Sequence, residues 1–159
     1  AGGDDQLDGG DGDDFLKGGG GNDTLTGGAG NDRYEFRRNH DADTIDNRGE
    51  GSSNDKLFLN SKTIGIDQVW FRQIDDHLEI SLIGTEDRVT VLDWYVDPDN
   101  RLAEIETKDG SSLFAGQVQN LVNAMSAFAP PALGETELSQ DLQDALQPVI
   151  AANWDTPGG

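Results

Sequence analysis

The chain has no cysteine, one methionine and only 11 basic side chains among 159 residues. Without cysteine there are no disulfides, no thiolate zinc sites and no cysteine nucleophile. Two histidines leave little for imidazole chemistry. Neither a Gly-x-Ser-x-Gly elbow nor a His-Glu-x-x-His helix is present, so the chain is read as not an enzyme. No run approaches the ~18 apolar residues of a membrane span, and no basic-plus-apolar leader opens the chain. Against the 11 basic side chains stand 31 acidic ones, a formal charge of −20. Such a surface repels nucleic acid and anionic membranes. It attracts cations.

The acid and the glycine are concentrated at one end. Residues 1–35 hold twelve of the 21 glycines, and residues 1–55 hold twelve aspartates. Such composition ordinarily means disorder. Periodicity overrules it. From Gly9 the chain reads Gly9-Gly10-Asp11-Gly12-Asp13-Asp14-Phe15-Leu16-Lys17, then Gly18-Gly19-Gly20-Gly21-Asn22-Asp23-Thr24-Leu25-Thr26, then Gly27-Gly28-Ala29-Gly30-Asn31-Asp32-Arg33-Tyr34-Glu35. The register Gly-Gly-x-Gly-x-Asp-x-(apolar)-x holds three times without a gap. A truncated copy, Ala1 to Asp8, precedes it, so the chain is expected to be a piece of a longer array.

A nine-residue glycine–aspartate repeat is the signature of a parallel β-roll. Each unit is a short strand and a tight turn, and two units make one coil. The single apolar residue per unit (Leu7, Leu16, Leu25, Tyr34) points inward. Consecutive turns on one side lie about 4.8 Å apart, so the sixth-position aspartates stack acid on acid. Two such charges repel by roughly 3 kcal/mol at an effective dielectric near 20. Calcium, which takes 6–8 hard oxygen ligands, offsets that repulsion. A flexible linker does not hold a nine-residue register. An EF-hand needs a closing glutamate that Asp11-Gly12-Asp13 lacks, and a phosphate loop needs a Gly-Lys-Ser/Thr that is absent.

Past Tyr34 the pattern loosens. Asp43 with Ile45, and Asp55 with Leu57, keep the Asp-x-(apolar) close, while Asn39, Asp41 and Ser53 stand where glycine is wanted. Asn and Asp tolerate the left-handed conformation. From residue 56 to about 113 the sequence alternates as ordinary antiparallel hairpins, with apolar faces at Leu57/Leu59, Val69/Phe71, Leu78/Ile80/Leu82, Val89/Val91 and Leu102/Ile105. Turns are signalled at Asp75-Asp76, Gly84 to Asp87, Asp97 to Asn100 and Lys108 to Gly110. Trp70, Trp94 and Tyr95 read as core or cap residues. In 116–129, Val118, Leu121, Val122, Met125 and Phe128 share one helix face, and Pro130-Pro131 stops that helix. A second helix is expected from Thr136 as N-cap through Leu138, Leu142 and Leu146, broken or ended by Pro148. Asp155–Gly159 carries no signal of order. The fold is therefore read as mainly β: a parallel β-roll over 1–57, an antiparallel β cap over 58–113, and a tail of one or two α-helices over 114–159.

On these residues the chain resembles the C-terminal end of RTX (repeats-in-toxin) proteins, most of all the adenylate cyclase–haemolysin type of toxin and related adhesins. The stretches that carry the likeness beyond the repeats are Asn31 to Phe36, Asp43-Thr44-Ile45, Asp67 to Phe71, Leu78-Glu79-Ile80, Leu82 to Asp87, Asp93-Trp94-Tyr95 and Ala152-Asn153-Trp154. The resemblance implies a secreted, extracellular bacterial protein exported by type I machinery that reads the tail, and a monomer. It also implies a ligand scheme of backbone carbonyls plus sixth-position carboxylates. One calcium would lie among Ala1, Gly3 and Asp5 with Gly18, Gly20 and Asp23. A second would use Gly10, Gly12 and Asp14 with Gly27, Ala29 and Asp32. A third would join Gly19, Gly21 and Asp23 to Arg38, His40 and Asp43. A fourth would join Gly28, Gly30 and Asp32 to Glu50, Ser52 and Asp55. His40 would lend only its carbonyl and expose its imidazole, and fifth-position Asp4, Asp13, Asn22 and Asn31 would face solvent or stand behind the ligands. The leading function is a calcium-dependent folding and secretion module. The alternative is an adhesin module gripping a surface through Trp70, Trp94 or Tyr95.

Overall fold

The computed structural model describes residues 2–48 and 54–157. Glycine turns cut the first third into short strands: β1 (Gln6–Asp8), β2 (Phe15–Lys17), β3 (Thr24–Thr26), β4 (Arg33–Phe36), β5 (Ala42–Asp46) and β6 (Lys56–Leu59). Nine residues carry the chain from one sheet to the other. The odd strands therefore pair with one another in parallel, and so do the even ones. The register aligns Leu7 with Leu25 and Leu25 with Ile45. On the facing sheet it aligns Leu16 with Tyr34 and Tyr34 with Leu57. One inward residue per unit thus becomes two continuous apolar stacks, the only way so thin a repeat can bury a core.

The next strands are β7 (Val69–Ile74), β8 (His77–Leu82), β9 (Arg88–Val91), β10 (Glu104–Thr107) and β11 (Ser112–Phe114). Antiparallel pairing holds for β7 with β8, β8 with β9, and β10 with β11. Hairpins are only part of how these strands continue the repeat sheets. β9 lies parallel to β5 and β10 lies parallel to β6, so that Val91 follows Ile45 and Ile105 follows Leu57 in the two stacks. The open edges of β5 and β6 accept them because both apolar stacks then continue without a break. The result is one six-stranded sheet, β1-β3-β5-β9-β8-β7, and one five-stranded sheet, β11-β10-β6-β4-β2. These parallel-rich sheets are those a β-roll requires.

Helix α1 (Ala115–Met125) buries Val118, Leu121, Val122 and Met125, the face its spacing dictates. It ends earlier than the sequence suggests, and Phe128 is 39% exposed. Helix α2 (Gln140–Asn153) starts from Ser139, whose hydroxyl accepts the Leu142 N–H at 3.3 Å, and not from Thr136. Pro148 neither breaks nor ends α2 but sits inside it. Asp144 and Pro148 both face solvent, so water can satisfy the carbonyl that a proline leaves free. Burial of Leu146 and Ile150 holds the helix across that point. Nor is Asp155 without order, while Gly158 and Gly159 lie outside the described residues. Trp154 is buried against Phe71, ring centroids 6.4 Å apart, and Asp155 pairs with Ser112 through two backbone hydrogen bonds of 2.8 Å. No helix among the described residues is long and apolar enough to cross a membrane.

Candidate metal centre

The parallel register that stacks the apolar residues also stacks the carboxylates two positions before them. The Asp23 Oδ1 accepts the Asp5 N–H at 2.9 Å, and the Asp43 Oδ1 accepts the Asp23 N–H at 3.0 Å. On the opposite side Asp32 accepts from Asp14 at 2.9 Å and Asp55 from Asp32 at 2.6 Å. All four carboxylate pairs of the sequence-based scheme are therefore neighbours in two ladders. The steps are 18 and 20 residues in the first ladder, 18 and 23 in the second. The longer steps show that the loosened repeats keep the ladder by swelling their turns.

Asp23, Asp32 and Asp43 use one carboxylate oxygen in this way. The Oδ2 atoms of Asp14, Asp23, Asp32 and Asp43 are buried and have no hydrogen-bond partner. A buried carboxylate oxygen without a partner is costly. Burial pushes Asp43 up to about 7, the Asp23 N–H opposes it, and the charges of Asp23, Asp41 and Asp87 add to the rise. Burial likewise raises Asp32, against the hydrogen bond from Asp14 and with the charges of Asp14 and Asp13. Unpartnered hard oxygens in a row fit a hard cation.

The glycines explain how carbonyls reach the same place. Gly30 has φ +113°, and a Cβ there would strike the Gly12 carbonyl one coil earlier. A side chain at Gly18 or Gly27 would collide with Oδ2 of Asp23 or Asp32 in its own repeat. The first-position residue must be bare because the sixth-position carboxylate occupies that space. The Gly20 and Ala29 carbonyls each accept one N–H, from Gly3 at 3.1 Å and Gly12 at 2.9 Å, which leaves each a second lone pair.

In the third turn pair Asn39 and Asp41 take glycine's place with φ of 65° and 64°. Arg38 turns its guanidinium to Thr63 and Gln68 and leaves only its carbonyl for an ion. The His40 imidazole is not simply exposed. It packs edge-on against Phe36 at 5.7 Å and accepts the Arg37 N–H at 3.3 Å, and burial lowers its pKa. Ala1, Glu50 and Ser52 lie outside the described residues, as does the glycine-like Ser53.

The fifth-position side chains link neighbouring turns behind the carboxylate ladders: Asp4 accepts the Asn22 N–H, Asp13 the Asn31 N–H and Asn22 the Ala42 N–H, each at 2.9 Å. The recurrence of Asp or Asn at that position was the signal for this outer ladder. Asp87 closes the wide turn after β4 by accepting from Asn39 at 2.9 Å and from Asp41 at 3.2 Å. No local pattern marks it, since its partners lie 46 and 48 residues away. Among the described residues no three His, Cys, Asp or Glu side chains gather as a metal site.

A family model described as RTX calcium-binding nonapeptide repeat matches residues 1–34 with four copies. A second, described as haemolysin-type calcium binding protein related domain, matches residues 77–115. The chain carries an RTX calcium-binding block, and calcium is its ion.

Proposed function

We propose that this RTX block is the calcium-dependent folding module of a secreted protein, a parallel β-roll closed by the β7–β11 strands and the two helices. The observation that carries the reading is the set of buried, unpartnered Oδ2 atoms on Asp14, Asp23, Asp32 and Asp43, each stacked on a like charge. Bound calcium supplies the positive charge that such a stack needs. The chain's own part is to present the oxygens: the carboxylates of Asp5, Asp14, Asp23, Asp32, Asp43 and Asp55, and the turn carbonyls between them. The degenerate turn at 38–43 completes the third site, and Asp55 supplies the second carboxylate of the fourth. For the alternative of surface gripping, Trp70 and Trp94 are 1% and 2% exposed and belong to the core, which leaves only the partly buried Tyr95. Calcium titration of the chain followed by circular dichroism tests the reading.

A pH dependence follows from Asp43. Its ion-free folded pKa of about 7 lies above the usual 3.8. The folded ion-free state therefore holds a proton that the unfolded chain has lost, and its stability falls as pH rises from about 4 to 7. The unfolded chain that calcium acts on has already lost that proton, so whatever β-structure persists in chelator is expected to grow as pH falls from 8 to 5. Circular dichroism in chelator that is less β-rich at pH 5 than at pH 8 would contradict this.

The tail fits an export role in the unfolded chain. Its apolar residues Leu146, Ile150 and Trp154 are buried in the folded form, so type I machinery would read them only before calcium folding. Alanine at Asp14, Asp23 and Asp32 removes carboxylates from all four sites. In a full-length parent secreted into millimolar calcium, that triple variant is expected to leave the cell more slowly at unchanged cytosolic expression. Wild-type secretion of a variant shown not to fold on calcium would sever folding from export.

A further inference from the structure

The inward position of each repeat is Leu7, Leu16, Leu25 and then Tyr34. Tyr34 is fully buried, yet its hydroxyl is not idle. It accepts the Gly27 N–H at 3.0 Å and donates to Asn47 Oδ1 at 3.0 Å. Asn47, itself 2% exposed, passes its Nδ2 proton to the Arg101 carbonyl at 3.3 Å. Arg101 in turn donates to the Trp94 carbonyl at 3.0 Å. A polar chain thus runs through an otherwise apolar core, from one turn of the repeat block to the loop before β10.

Its starting point is the first residue of a calcium turn. A side chain on Gly27 would collide with Asp32 Oδ2 and lie 2.5 Å from the Tyr34 hydroxyl. The phenol therefore shares the space beside Gly27 with a carboxylate oxygen that has no hydrogen-bond partner. Leucine at the equivalent place in the other repeats has no atom that could act on the turn. A buried hydroxyl with two good partners fixes its neighbours, and groups behind a metal's ligands tune its affinity by holding them in place.

We propose that Tyr34, held by Asn47, is a positioning residue for calcium between the Gly10–Asp14 and Gly27–Asp32 turns, fixing Gly27 in the folded chain and tying that site to the Arg101 loop. The inference rests on the calcium reading above. It makes this site unlike the other three, with part of its ordering done by the core. A site held from behind in the folded state binds its ion more tightly.

The test uses the full chain, with calcium for folding and cadmium-113 as an NMR-visible surrogate. Y34F removes one oxygen and keeps the ring. It is expected to raise the calcium midpoint about 1.2- to 2-fold, the effect of one buried hydrogen bond spread over a cooperative four-ion transition. In the cadmium-saturated protein, Y34F is expected to shift one resonance and leave the others in place. N47A is expected to move the same resonance. The double variant is expected to cost no more than the worse single one, because the two residues act through one chain. L25V serves as a packing control that changes the midpoint without singling out a resonance. Y34F with every resonance unmoved, or additive effects of Y34F and N47A, would overturn the proposal. Should Y34F fail to fold, N47A alone decides by the same resonance. A wild-type chain that does not fold on calcium would defeat the functional reading itself, and this inference with it.

Discussion

In excess chelator the chain is expected to give a far-UV spectrum poor in β-structure, and to gain that structure cooperatively as free calcium rises through roughly 10⁻⁴–10⁻³ M. The two ladders hold Asp5, Asp23 and Asp43, and Asp14, Asp32 and Asp55, at strand spacing. Each adjacent pair repels by roughly 3 kcal/mol at an effective dielectric near 20. The backbone N–H bonds to Oδ1 relieve part of this, and the Oδ2 atoms of Asp14, Asp23, Asp32 and Asp43 gain nothing from them. Domains are stable by only about 5–15 kcal/mol, so several such pairs decide the outcome. Magnesium is expected to substitute poorly, since it demands near-ideal octahedral geometry and gives up water reluctantly. A β-rich spectrum in chelator would sink the expectation.

Residues 1–57 alone are expected to stay unfolded at calcium concentrations that fold the whole chain. Each repeat buries one inward side chain, while every ordered residue costs about 1–2 kcal/mol of backbone entropy. In the whole chain, β9 and β10 cover the edges of β5 and β6, and Val91 and Ile105 complete the stacks over Ile45 and Leu57. Truncation leaves those edges and that core end open to water. The far end matters as well. Trp154 packs on Phe71, and Asp155 pairs with Ser112, so W154A is expected to cost about 3–5 kcal/mol. Urea unfolding at saturating calcium measures that loss. Undiminished cooperativity in the 1–57 fragment would remove the cap from the account.

Several placements could not be reached from local pattern. Pro148 reads as a helix stop because a proline removes one backbone bond, yet α2 continues because its inner face is buried and its proline faces water. His40 reads as a solvent-facing ring, yet the wide turn folds it onto Phe36. Asp87 reads as part of a hairpin turn, and its partners, Asn39 and Asp41, are distant in sequence. Tyr34 reads as one more inward apolar residue, and its hydroxyl matters only because β5 ends by bringing Asn47 beside it.

Whatever repeats at fixed spacing was legible from the residues: the nine-residue turn, the bare first position, the inward apolar residue, the stacked aspartates and hence the cation. Periodicity carries these because each repeat meets only the next one, and the same short-range geometry recurs at every step. The tertiary structure alone decided how the repeats are closed. The parallel docking of β9 and β10, the Asp87 clamp and the Tyr34–Asn47–Arg101 chain join segments 13 to 54 residues apart. Such contacts depend on which edges and buried polar groups remain to be satisfied once the roll is built, and no local spacing records that.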